Sequence, residues 1–187
     1  YNYDGGIIKT TGTGDSPIKA FHVVDFKFVN YKGGTIEGAD RHAVNIEQSD
    51  DINFTNHGTI TAADKSVLYC KTCSDVTFIN TGTMSGGNNA VVISHGDNTT
   101  ITNSGTITAT AANSGMSINQ SDGTVVNNTG TISGVGMGMQ SSNVDNSTIT
   151  NHGTISASSN SGYGLLYEND GTNRVNNTLN NYGTISA

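Results

Sequence analysis

Apolar and polar residues alternate along most of the chain in short runs, as in Thr100-Ile101-Thr102-Asn103 and Thr106-Ile107-Thr108-Ala109. A period of two predicts β-strands, because successive side chains on a strand point to opposite faces. Asn-x-Gly separates the runs. Asn and Gly both tolerate the left-handed turn conformation, so each unit predicts strand, turn, strand. A further apolar segment falls in mid-unit, at Ala43-Val44-Asn45-Ile46, Val67-Leu68-Tyr69-Cys70 and Val91-Val92-Ile93. It recurs less regularly at Met116-Ser117-Ile118, Met137-Gly138-Met139 and Leu165-Leu166-Tyr167. About three short strands per unit are expected.

The unit repeats. Gly-Thr-Ile or Gly-Thr-Met begins at Gly34, Gly58, Gly82, Gly105, Gly130, Gly153 and Gly183. A divergent copy, Asn2-Tyr3-Asp4-Gly5-Gly6-Ile7-Ile8, aligns with Asn30-Tyr31-Lys32-Gly33-Gly34-Thr35-Ile36. One unit of roughly 24 residues cannot bury its own apolar face, but stacked units bring like columns together into a continuous core. The expected fold is all-β: a right-handed parallel β-helix, or β-solenoid, of about eight coils of roughly 24 residues. It forms a single domain over residues 1–187, expected to be part of a longer repetitive extracellular protein.

Two columns bear on stability and surface. Two residues before each of the last six glycines stands an asparagine: Asn56, Asn80, Asn103, Asn128, Asn151 and Asn181. Stacked amides donate to and accept from one another, so this column is expected to be structural. Around the inward Ile or Met lie Thr59 with Thr61, Thr83 with Ser85, Thr106 with Thr108, Thr131 with Ser133, and Thr154 with Ser156, followed by Thr184 with Ser186. These predict a flat, outward hydroxyl face, the candidate surface for self-association or ligand binding. Threonine also favours strands for its own sake.

Composition narrows the function classes. Of 187 residues 33% are hydrophobic and 12% charged, and Gly numbers 24. No run is long enough to span a bilayer as a helix, and the Gly, Asn and Thr bias disfavours a helical bundle. The net charge of -7 repels phosphate backbones, so nucleic acid is excluded as a partner.

The pattern Asn-x-Gly-Thr-Ile-Ser/Thr-Gly/Ala, seen in Thr148-Ile149-Thr150-Asn151-His152-Gly153-Thr154-Ile155-Ser156-Ala157, resembles the degenerate repeats of autotransporter passenger domains of Gram-negative bacteria. The resemblance covers nearly the whole chain. It implies an extracellular right-handed β-helix, secreted or held at the cell surface. Attachment to the membrane would come only through a separate C-terminal barrel, and the implied role is adhesion or self-association rather than catalysis.

Cys70 and Cys73 are the only cysteines. Either a local disulfide closing a small loop or a pair of inert thiols suits an exported chain; a redox motif or half a zinc site is the alternative. Aspartates recur ahead of the third strand, at Asp50, Asp51, Asp75, Asp97, Asp122, Asp145 and, in a shifted register, Asp170. Turn chemistry is their expected role; calcium binding or a catalytic carboxylate pair are alternatives. Five histidines, His22, His42, His57, His95 and His152, fall in different registers, except that His57 and His152 share the slot between Asn and Gly, four coils apart. That separation rules out a shared metal. No Gly-x-Ser-x-Gly elbow occurs, and Arg41 and Arg174 are the only arginines. The longest departures from the repeat, residues 14–27 and 162–174, carry Phe21, Phe26, Tyr163 and Tyr167, which either contact sugars or a partner surface or cap the core.

The expected role is a non-enzymatic surface adhesin or self-associating module that uses polar Asn, Thr and Ser ladders. Its partner would be a second copy or a host or cell-surface protein or glycan, with no cofactor and no metal. The alternatives are a polysaccharide-binding or polysaccharide-degrading β-helix, and an ice-binding protein using the Thr-x-Thr/Ser face. Serine at several of the second positions lacks the methyl group that an ice-ordering array would use.

Overall fold

The computed structural model describes residues 1–169, 171 and 175–187. The chain is a parallel β-solenoid, and among the described residues it has no helix. The first face of the coil is an eight-stranded parallel sheet. It starts with Ile7–Lys9 and Thr35–Gly38, continues through each Gly-Thr-Ile/Met segment, and ends with Thr184–Ser186. Eight such strands delimit seven complete turns, with the last strand opening an eighth coil.

A twelve-stranded sheet wraps the other two faces. In the second and third coils one 13-residue strand, Val44–Asn56 or Leu68–Asn80, runs through both faces. From the fourth coil on it divides, first into Val91–Ser94 and Thr100–Asn103. The three strands per unit expected from the alternation are thus present, merged in two coils.

Register follows the repeat. Ile107 lies between Met84 and Ile132, and Ile132 lies beneath Ile155. Within each first-face strand, burial alternates as the pattern requires, with Met84 buried between Thr83 and Ser85. Ile36, Ile60, Met84, Ile107, Ile132 and Ile155 are all at 0% exposure and form one wall of the core. A second wall is Phe28, Phe54, Phe78, Ile101, Val126 and Ile149. Its phenyl rings sit 5.5 Å and 5.8 Å apart along the axis. Val44, Leu68, Val91, Met116 and Met139 make the third. Fully burying one such side chain contributes about 1.5–3 kcal/mol.

The core changes in character along the axis. One inward column runs Phe26, Ile52, Val76 and then Thr99, Thr124 and Ser147. The last three are buried hydroxyls. Thr124 Oγ1 donates to Ser121 O at 2.9 Å and Ser147 Oγ to Asp145 O at 3.1 Å. The wall that begins with three phenylalanines ends in smaller aliphatics.

The turns correct one expectation. The Asn-x-Gly glycines do not take a left-handed conformation from Gly58 onward; only the longer first two turns do, at Gly5 and Gly33. The glycine is needed because coils approach closely there. A Cβ at Gly105 would lie 2.1 Å from the carbonyl oxygen of Gly82, with the same distance at Gly82, Gly130 and Gly153 against the glycine one coil below. Left-handed residues occur instead at the opposite corner, between the second and third faces. They form two columns: His22, Gln48, Thr72, His95, Gln120 and Asn143, then Asp25, Asp51, Asp75, Asn98, Gly123, Asn146 and Asn176. Asx side chains bear this conformation best.

Beside the glycines runs the amide ladder. Nδ2 of each asparagine donates to Oδ1 of the next: Asn56 to Asn80, Asn80 to Asn103 and Asn103 to Asn128 at 2.8 Å, Asn128 to Asn151 at 2.7 Å, and Asn151 to Asn181 at 2.8 Å. Asn2 and Asn30 extend it downward with the same geometry. The second Nδ2 hydrogen is shared between two backbone carbonyls, as with Gly105 O at 3.3 Å and Thr131 O at 3.2 Å for Asn103. From Asn30 to Asn151 the side chains are fully buried, so every rung must be satisfied internally.

Replacing Asn103 with Ala strips the partner from both Asn80 and Asn128 inside the wall. We expect a loss of about 2–4 kcal/mol in urea unfolding, against under about 1 kcal/mol for Asn181→Ala at the solvent-exposed end.

Candidate functional site

The predicted hydroxyl face exists as a surface. Thr59, Thr83, Thr106, Thr131 and Thr154 form one column and Thr61, Ser85, Thr108, Ser133 and Ser156 the other, in unbroken register. The first column continues to Thr35 and Thr184. Strands repeat at about 4.8 Å, so hydroxyls of one column recur at that interval. Thr108 Oγ1 and Ser133 Oγ are 3.0 Å apart, a hydrogen bond along the ladder. The second column begins with Lys9 and Glu37, which puts charge at one end of an otherwise neutral face. A groove of about 410 Å³ follows the edge of this face and is lined by Thr10, Glu37, Ala39, Thr61, Ala63, Ser85 and Thr110.

A second hydroxyl-bearing surface covers the third face. Thr77, Thr100, Thr148 and Thr178 share a column with Asn53 and Val125, and Thr55, Thr102 and Thr150 lie in another. The signal was present in segments such as Thr148-Ile149-Thr150, where both flanks of the inward residue are threonine. The Asn column offers nothing to a partner in the middle of the rod, since its amides are buried and bonded to each other.

Cys70 and Cys73 form a disulfide, with Cα atoms 6.0 Å apart. Both are buried. Cys70 occupies the inward column between Ile46 and Ile93, and Cys73 stands over Ser49. The bridge staples the corner between the second and third faces and is out of reach of a substrate.

The aspartates divide between two adjacent columns. Asp25, Asp51 and Asp75 stack in the left-handed column. Asp97, Asp122 and Asp145 follow Asp50 in the neighbouring one, with Ser74 between. Their carboxylates accept backbone N–H groups from the next coil. Asp97 Oδ1 takes Asp122 N at 3.1 Å, Asp122 Oδ1 takes Asp145 N at 2.8 Å, and Asp145 Oδ1 takes Val175 N at 2.6 Å. Asp75 Oδ1 accepts from Asn98 Nδ2 at 3.1 Å. This is turn chemistry carried from coil to coil. Among the described residues no group of three or more His, Cys, Asp or Glu side chains is placed to hold a metal ion. Asp170 and Arg174 lie outside the described residues.

His57 and His152 share the turn column, separated by Thr81, Ser104 and Thr129. His57 Nδ1 pairs with Thr81 Oγ1 at 2.7 Å, and His152 stacks on Tyr182 at 4.7 Å. His22 and His95 also share a column, at the left-handed corner three coils apart, which the sequence spacing did not reveal. His42 stacks on Tyr69 at 4.4 Å. Burial holds its pKa below the ordinary 6.5, helped by the positive charges of Lys65 and Arg41, against the charge of Glu47.

Of the irregular aromatics, Phe26 packs against the core, whereas Phe21 is exposed and meets His22 edge-on at 4.1 Å. Tyr163 and Tyr167 lie on the last second-face strand, far along the axis from the phenylalanines. Burial raises the pKa of the Tyr167 phenol. An exposed aromatic group that sequence reasoning did not single out is Tyr1, Tyr3 and Tyr31, with the last two rings stacked at 5.1 Å.

Two outcomes follow from the ionisable groups. Asp122→Asn keeps an acceptor for Asp145 N and leaves stability nearly unchanged, Asp122→Ala costs about 1 kcal/mol, and calcium or a chelator leaves the melting temperature where it was. For His42, the folded protein resists protonation that the unfolded chain accepts. Its contribution is therefore complete above the unfolded pKa of 6.5 and is lost as pH falls below that value through the folded pKa. Denaturation midpoints should decline from about pH 7 to about pH 5, and His42→Phe, which keeps the stack, should flatten that decline.

Comparison of the chain with known protein families, with curated proteins and with solved structures finds no match in any of the three.

Proposed function

We propose that the chain is a non-enzymatic extracellular module that self-associates side by side through its Thr/Ser face, serving attachment between cells or to a surface. The observation that carries this reading is the uninterrupted threonine column from Thr35 to Thr184 on seven consecutive strands. Each hydroxyl contact is weak. A second copy with the same repeat can satisfy many at once, and summed over a rod the array holds through multivalency. A uniform, neutral ladder also lets two rods meet in several registers, which suits attachment better than recognition of a single shape.

Two further features support an extracellular setting. The repeats resemble those of autotransporter passengers, which act outside the cell, and the buried Cys70–Cys73 disulfide belongs to an oxidising compartment. In a parent of that kind, attachment to the membrane would reside in a separate C-terminal barrel. A second reading, polysaccharide binding, is favoured by the groove beside the same face, whose hydroxyls and Glu37 could hydrogen-bond a glycan.

Changing Thr83, Thr106, Thr131 and Thr154 together to Arg places a row of like charges on the face. In sedimentation velocity the unaltered chain should form oligomers that grow with concentration, while the variant, with an unchanged melting temperature, stays monomeric. Equal sedimentation of the two would discard the self-association reading. Thermal hysteresis in the unaltered chain, lost in the variant, would move the face to ice binding.

A further inference from the structure

The first coil departs from the repeat after Thr10, and the departure builds a second site away from the Thr/Ser face. Asp40 accepts Gly14 N through both carboxylate oxygens, at 2.9 Å and 3.3 Å, and pins the irregular segment against the second coil. Beneath it is a pocket of about 310 Å³ on the second face. Its walls carry Asp15, Lys19, Arg41, His42, Asn45 and Glu47, and none of its lining side chains is hydrophobic.

The hydrogen bonding of these walls is incomplete. Asn45 Nδ2 donates to Glu47 Oε1 at 2.8 Å, but Asn45 Oδ1 is buried with no partner. Nδ1 of His42 is likewise buried and unpartnered, although its ring is fixed by the stack on Tyr69. Lys19 stands next to Asn45 in the strand register. Among the described residues neither Lys19 nor Arg41 is paired with a carboxylate. Leaving buried polar atoms unpaired is costly, and two of the four such atoms among the described residues belong to residues that line this pocket.

We infer that the pocket binds a carboxylated sugar. This is a site separate from the self-association face and does not depend on it. An anionic group satisfies Lys19 and Arg41, with Arg41 able to take a carboxylate through two parallel N–H donors. Ring hydroxyls donate to the Asp15 and Glu47 carboxylates, which line the pocket. A bare phosphate carries too few donors for these acceptors, and an apolar ligand finds no wall to cover. The volume is near the lower end of ligand pockets and admits a sugar of one or two rings.

The probes are sodium D-glucuronate and N-acetylneuraminate, followed by saturation-transfer NMR and isothermal titration on the full chain, with D-glucose and L-serine as controls. At least one acidic sugar should bind, and which of the two binds more tightly separates a uronic from a sialic source. D-glucose and L-serine should bind at least tenfold more weakly. Arg41→Ala and Lys19→Ala, both exposed side chains, should weaken binding at least tenfold at an unchanged melting temperature, and the four-threonine variant should bind as the unaltered chain does. Absence of binding by both acidic sugars, equal binding of D-glucose or L-serine, or affinity unaltered by Arg41→Ala would each overturn the assignment.

Discussion

Close vertical approach of successive turns at the Asn-x-Gly corner is the constraint on which the molecule depends. The glycine column brings backbone to backbone, and that distance puts each buried amide within reach of the next. Amide and backbone bonding fix the height of every coil and prevent rotation of one coil on another. Once height and rotation are set, isoleucine falls over isoleucine and threonine over threonine without further specification. A rung of the ladder contributes about 0.5–1.5 kcal/mol net and a buried isoleucine about 1.5–3 kcal/mol, so polar and apolar columns hold the stack jointly.

Most of this was legible because the repeat is a periodic signal sampled many times. Column identity at Ile107 and Ile132, the inward asparagines, and the outward threonines all follow from alignment and alternation alone. What alignment cannot show is distance. Glycine looked like a requirement of backbone conformation, yet at Gly105 it answers a carbonyl oxygen one coil below. The aspartates looked like one row, but a single-residue offset between Asp75 and Asp97 places them in neighbouring columns.

Non-periodic parts were the least legible. The pocket over Asn45 depends on an irregular segment held by Asp40, and orphaned atoms have no signature in a linear sequence. Tyr3 and Tyr31 occupy the ordinary turn slot that elsewhere holds His, Thr, Ser or, at Tyr182, another tyrosine, so nothing in the pattern marked them as an exposed stack. The same irregularity that weakens prediction creates a strongly charged concavity, whereas the regular coils present repetitive surfaces.

The passage from phenylalanine and valine to threonine and serine in the interior gives the rod a built-in asymmetry. Nearest-neighbour energetics govern a linear stack of this kind, so coils with poorer interiors come apart first and re-form last. The aromatic early coils, further fastened by the Cys70–Cys73 bridge, serve as the seed on which later coils are laid down one by one.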